Sequence, residues 1–199
     1  MKIYLLRHGE TDWSKEGRLQ GHTDIPMNEN GIKQIEAVGD YFLQTRMKID
    51  VVISGPLVRA LRSAEIVAEK IGYSKDNIMI EQGFIERCFG SGEGLTQKER
   101  KIKFTERGCP NVESVEDLCE RAGITIKKYV RQFFGETLLI AGHGSILKAV
   151  LTSVTDRRYS YNEGNVALGT GELCLLEYDG MNFNLTCSRI NPLEEIASL

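Results

Sequence analysis

The sequence contains no run of about 18 apolar residues, so no membrane-crossing helix is expected. Its first apolar run, Ile3 to Leu6, is too short for a secretion signal and meets Arg7 at once. The five cysteines are an odd number without paired spacing, which predicts reduced thiols and a cytoplasmic protein, not a disulfide framework. There is no basic excess either. Net charge is −3, so neither nucleic acid nor membrane is expected as a partner. An anionic substrate must then be drawn by a local basic pocket. Internal repeats, low-complexity tracts and Pro/Gly/Ser linkers are missing, and 199 residues suit one domain over 1–199. Self-association into a homodimer is left open.

What is present has the make-up of a globular domain, 41% hydrophobic and 27% charged. Three short apolar runs, Ile3 to Leu6, Val51 to Ile53 and Leu138 to Ala141, do not alternate polar and apolar residues. That is the pattern of parallel strands buried on both faces. Helical spacing follows in Ile32, Ile35, Val38 and Phe42, then in Leu57, Leu61, Ala64, Ala68 and Ile71. It recurs from Val115 to Phe133 and from Ile146 to Val154. Near the C-terminus, Asp179-Gly180 between Glu172–Tyr178 and Phe183–Arg189 predicts a hairpin. The expected fold is a three-layer α/β/α sandwich with a mostly parallel central sheet and one antiparallel strand near the C-terminus. The polar stretch at about 87–112 reads as an irregular insertion over one end of the sheet.

Ligands of such sheets bind beyond the carboxyl ends of the strands. The first run exits into Arg7-His8-Gly9, and the second into Ser54-Gly55-Pro56 with Arg59 close behind. The third exits into Gly142-His143-Gly144-Ser145 and a helix start. The chain has only three histidines, and two of them flank glycines at equivalent exits. Two guanidinium groups, two histidines and a helix N-terminus suit a phosphate. One uncharged histidine could attack phosphorus. The other, cationic, would stabilise the equatorial oxygens. A leaving alkoxide also needs a carboxylic acid nearby. Other chemistries lack their residues. The histidines are far apart in sequence and arginines beside them oppose a metal ion. None of the five cysteines has an arginine six positions later, as a cysteine-dependent phosphatase requires, and no Gly-Lys-Ser/Thr loop exists.

The segments "LLRHGETDW", "GRLQGHTDIPMNENGIKQ", "SGPLVRALRSAEIV", "IERCFGSGEG", "VESVEDLCERA" and "LLIAGHGSILKAV" together resemble the histidine phosphatase superfamily, the phosphoglycerate mutase-like group. The resemblance implies His8 as nucleophile, with Arg7, Arg59 and His143 holding phosphate and Glu86 as general acid and base. It places Gln20 and Gly21 on the substrate side, His22 at the rim, and Asp24 and Glu93 in structural roles. Ser14 stands where the family often has asparagine; serine can still donate a hydrogen bond to phosphate, with a shorter reach. The short insertion and tail favour a phosphatase that needs no metal or other cofactor and acts on a small phosphorylated metabolite. Arg87 points the other way: it resembles the arginine that mutases use for a sugar-acid carboxylate, so a cofactor-dependent phosphoglycerate mutase is the alternative. Lys98, Arg100, Lys101, Lys103 and Arg107 form either a basic lid or a solvated helical face.

Overall fold

A computed structural model describes residues 1–104, 108–155, 161 and 168–197. In chain order the elements are β1 (Lys2–Arg7), α1 (Asp12–Lys15), α2 (Glu29–Gln44), β2 (Val51–Ser54) and α3 (Val58–Ile71). Then come β3 (Met79–Ile80), α4 (Gln97–Lys103), α5 (Val115–Gln132), β4 (Thr137–Gly142) and α6 (Gly144–Val154). The hairpin β5 (Leu173–Tyr178) and β6 (Phe183–Ile190) leads into α7 (Pro192–Ala197).

The six strands form one sheet in the order β3-β2-β4-β1-β5-β6. Strands β1, β2, β3 and β4 are parallel, and β5 runs against β1. Since β6 runs against β5, it points the same way as the parallel set. The non-alternating runs are explained by two cores. Ile3, Leu5, Val51, Ile53, Leu138 and Ile140 pack under α5 and α6 on one face. Tyr4, Leu6, Val52, Leu139 and Ala141 pack under α2 and α3 on the other. Each strand residue thus meets a helix layer whichever way its side chain points.

Several elements escape the sequence pattern because they are short or polar. β3 has two residues and α1 has four, too few to show a period. Within the stretch read as irregular, α4 is started by a capping box between Thr96 and Glu99. Leu19 N–H donates to the Leu95 carbonyl, and Gly94 N–H to the Leu19 carbonyl, so this stretch lies along the loop after α1.

Strand β4 is one of the two central strands and contributes to both cores. Leu139→Ala, at a fully buried position, is expected to cost about 2–5 kcal/mol, read as a lower urea midpoint with an unchanged slope.

Candidate active site

The parallel register sets Arg7 opposite Gly142 and Ser54 opposite Ala141, so three neighbouring strands end level. The residues that follow them meet at one edge. His8 N–H donates to the Gly142 carbonyl (3.0 Å), and Gly55 N–H to the Ala141 carbonyl (2.9 Å). The rings of His8 and His143 stand 5.3 Å apart between centroids, with planes tilted by 58°. Gly55 is required there: a Cβ would come within 2.7 Å of the Phe84 carbonyl oxygen and 3.3 Å of His143 Nε2.

His8 is 2% exposed, and its Nδ1–H donates to the Gly9 carbonyl at 2.7 Å. That bond fixes the tautomer and leaves the Nε2 lone pair unprotonated. Burial, then the charges of Arg7 and Arg59, hold its pKa well below the usual imidazole range. His143 is completely buried, and its pKa also lies well below the ordinary value, through burial and then Arg59, His8 and Arg7. It is therefore neutral in the protein alone; the cation expected from sequence is that of the phosphate-bound transition state. A bound dianion would reverse the sign of its surroundings.

Both arginines are anchored by backbone carbonyls. Arg7 Nη1 donates to Leu168 O at 2.6 Å. Arg59, 1% exposed, donates through Nη1 to Thr23 O and through Nη2 to Gly21 O, at 2.9 and 2.8 Å. Burial lowers both guanidinium pKa values while the charge of Glu86 opposes it, and an arginine stays charged. At this site four buried atoms keep no partner among the described residues: Nε of Arg7, Nε of Arg59 and both ring nitrogens of His143. Leaving polar atoms unpaired in the interior is costly, and such orphans mark a place for a ligand that accepts hydrogen bonds.

Glu86 is 7% exposed and faces the same space. Its Oε1 accepts from Ile146 N (3.0 Å) and Arg87 N (2.8 Å), and its Oε2 from Ser145 N (3.1 Å). The start of α6, expected to hold phosphate, thus gives two of its N–H groups to this carboxyl. Arg7, His8, Arg59 and Glu86 line one cavity of about 400 Å³. Ser14, Gln20, Phe89, Lys148 and Tyr161 line it further out.

The remaining predicted residues are placed less directly. Ser14 Oγ donates to Thr11 O (2.9 Å) and accepts from Thr11 N (2.9 Å), so its only proton is spent on capping α1. Gln20 is buried in the wall, where Oε1 accepts from the Thr11 hydroxyl at 3.0 Å. Gly21 contributes its carbonyl to Arg59 and does not line the cavity; its left-handed φ of 56° and the adjacent Glu93 carboxylate leave no room for a Cβ. Arg87 stands behind the wall, its Cζ 5.6 Å from the ring centroids of both Phe89 and Tyr161. Of the basic stretch, Lys98, Arg100, Lys101 and Lys103 do not line this cavity, and Arg107 lies outside the described residues. His22 Nε2 donates to the Glu86 carbonyl at 2.9 Å. Asp24 caps the start of α3 by accepting from Val58 N at 2.8 Å. Two residues near the site carried no sequence signal. Lys148 and Arg121 both lie on helices where charged residues are ordinary, one in the cavity wall and one bonded to the Glu86 carbonyl.

Known proteins resemble this arrangement over almost the whole chain. The sequence profile of the histidine phosphatase superfamily (branch 1) matches residues 3–191. The chain is 35% identical over 153 residues to uncharacterized phosphatase PhoE of Bacillus subtilis (strain 168), covering 77% of each protein. It is 30% identical over 161 residues to phosphoglycerate mutase-like protein 4 of Arabidopsis thaliana, covering 75% of this chain and 69% of that one. Among solved structures, a mutant phosphoserine phosphatase of Entamoeba histolytica in complex with phosphoserine superposes with a TM-score of 0.77. It is 27% identical, with 96% of this chain and 97% of that one covered. The chain belongs to the histidine phosphatase superfamily, branch 1, and is a hydrolase of the phosphatase type.

Proposed function

We propose that this protein hydrolyses phosphate monoesters of small metabolites through a phosphohistidine on His8, with Glu86 as acid and then base. The observation that carries this reading is the neutral, oriented His8 beside the unpaired Nε of Arg7, Nε of Arg59 and ring nitrogens of His143, with two fixed positive charges. The phosphate dianion would lie against Arg7, Arg59 and His143, which neutralise it and hold it in line with Nε2. The Nε2 lone pair forms a bond to phosphorus as the ester P–O bond breaks. Glu86, protonated, gives its proton to the leaving oxygen, and the alcohol departs. The phosphorylated imidazole keeps its Nδ1–H on the Gly9 carbonyl, which supports the positive charge arising on the ring. Glu86, now a carboxylate, takes a proton from water as that water attacks phosphorus. The N–P bond breaks, and neutral His8, protonated Glu86 and phosphate result.

The 400 Å³ cavity suits a small ester. Lys148, which pairs with no acid among the described residues, rests 5.1 Å from the Tyr161 ring centroid and offers a cation to its outer part. A second reading, phosphoglycerate mutase, draws on Arg87, which directly follows Glu86 and braces Phe89 and Tyr161.

Three outcomes are expected. His8→Ala abolishes phosphate release across a panel of metabolite esters and removes an acid-labile, alkali-stable phosphoprotein; release equal to wild type would sink the proposal. Phosphate release exceeds any bisphosphate-stimulated exchange of 2- and 3-phosphoglycerate, and dominant exchange would favour the mutase. In NMR titrations of the free protein, neither His8 nor His143 protonates between pH 8 and 6, because both pKa values are held well below 6.5. A midpoint near the ordinary value for His8 would contradict the neutral nucleophile.

A further inference from the structure

We propose that Arg121, paired with Glu113, is a positioning residue that sets where the Glu86 carboxyl stands. The proposal rests on reading Glu86 as the general acid. Arg121 lies on α5 and does not line the cavity. Its guanidinium has five N–H groups and all are used. Nε donates to Glu113 Oε1 at 2.6 Å. Nη2 donates to Glu113 Oε2 at 3.0 Å and to the Glu86 carbonyl at 3.1 Å. Nη1 donates to the carbonyls of Gly83 and Ile85, at 3.0 and 2.9 Å.

Glu113 holds the other side of the same loop. Its Oε2 accepts from Cys88 N at 3.3 Å, and its carbonyl accepts from Arg87 Nε at 2.9 Å. Its own N–H donates to the Cys88 carbonyl at 2.9 Å. One ion pair therefore suspends the backbone on both sides of Glu86. Burial alone would raise the Glu113 carboxyl, but the contact with Arg121 and its charge carry it below the ordinary range, so the pair stays ionised. Short hydrogen-bonded pairs of this kind are stiff in direction as well as distance. The carboxyl end of Glu86 is pinned separately by α6. With backbone and head both fixed, the acid has little freedom to miss the leaving oxygen.

The inference separates from plain structural support by the leaving group. A phenolate leaves without a proton, whereas an alkoxide needs one. The full-length protein is assayed with p-nitrophenyl phosphate and with the alkyl phosphate it turns over best among glycerol 2-phosphate, phosphoserine and 3-phosphoglycerate. Arg121→Met is expected to lower kcat/KM about 100-fold for the alkyl ester and less than about threefold for the phenyl ester. Glu113→Gln, which keeps an oxygen for Arg121, shows the same imbalance at smaller size and carries the test if Arg121→Met does not fold. Glu86→Gln is the reference. If it discriminates between the esters while the Arg121 and Glu113 variants lower both equally, the clamp is overturned. If Glu86→Gln itself lowers both equally, Glu86 is not the acid, and the clamp falls with it.

Discussion

Two guanidinium charges buried against two histidines set the terms for everything at this sheet edge. A buried cation without a carboxylate partner is held only where dipoles replace water. Here the carbonyls of Leu168, Thr23 and Gly21 do so, each from a loop that must be shaped for it. Burial, and then these same charges, keep both imidazoles uncharged, the state that the proposed attack by His8 needs. In the proposed reaction one positive potential would both hold phosphate and keep the attacking group neutral.

The second constraint is the division of donors. Side-chain donors on Arg7, Arg59 and His143 are left unused for a ligand, while the first N–H groups of α6 go to Glu86. A helix start would suit a phosphate equally well. Giving it to the carboxyl instead fixes Glu86, the proposed acid, in the wall of the cavity that His8 and both arginines line. The ion pair of Glu113 with Arg121 then serves the loop from which that carboxyl extends.

Much of the fold could be read from the chain because burial on both faces forces uninterrupted apolar runs, and Ile3–Leu6 and Leu138–Ala141 are buried throughout. The Asp179-Gly180 turn likewise joins β5 and β6. The two-residue β3 and the four-residue α1 left no period to detect. At the site, strand exits alone brought Arg7, His8, Arg59 and His143 together. Glu86 could not be separated from other glutamates without the family resemblance, since its distinction is a contact with α6 made across a loop. Gly21 acts on Arg59 through a carbonyl, and Arg121 spends three donors on carbonyls. Every residue has a carbonyl, so such partnerships leave no mark in a sequence.

The central position of β4 has a consequence for how the chain acquires its site. β4 lies between β1 and β2, although β1 precedes it by most of the chain and α3, β3, α4 and α5 all intervene after β2. During synthesis, β1 and β2 emerge early but cannot become neighbours of the finished sheet until β4 slots between them. His8 and Arg59 then wait without His143 or the α6 N–H groups. The closing step joins segments of high sequence separation, a topology that slows folding. The proposed phosphate pocket and both cores are thus completed by the same strand. A nascent chain short of β4 would expose two half-cores and lack His143, so the proposed pocket is incomplete until the sheet closes.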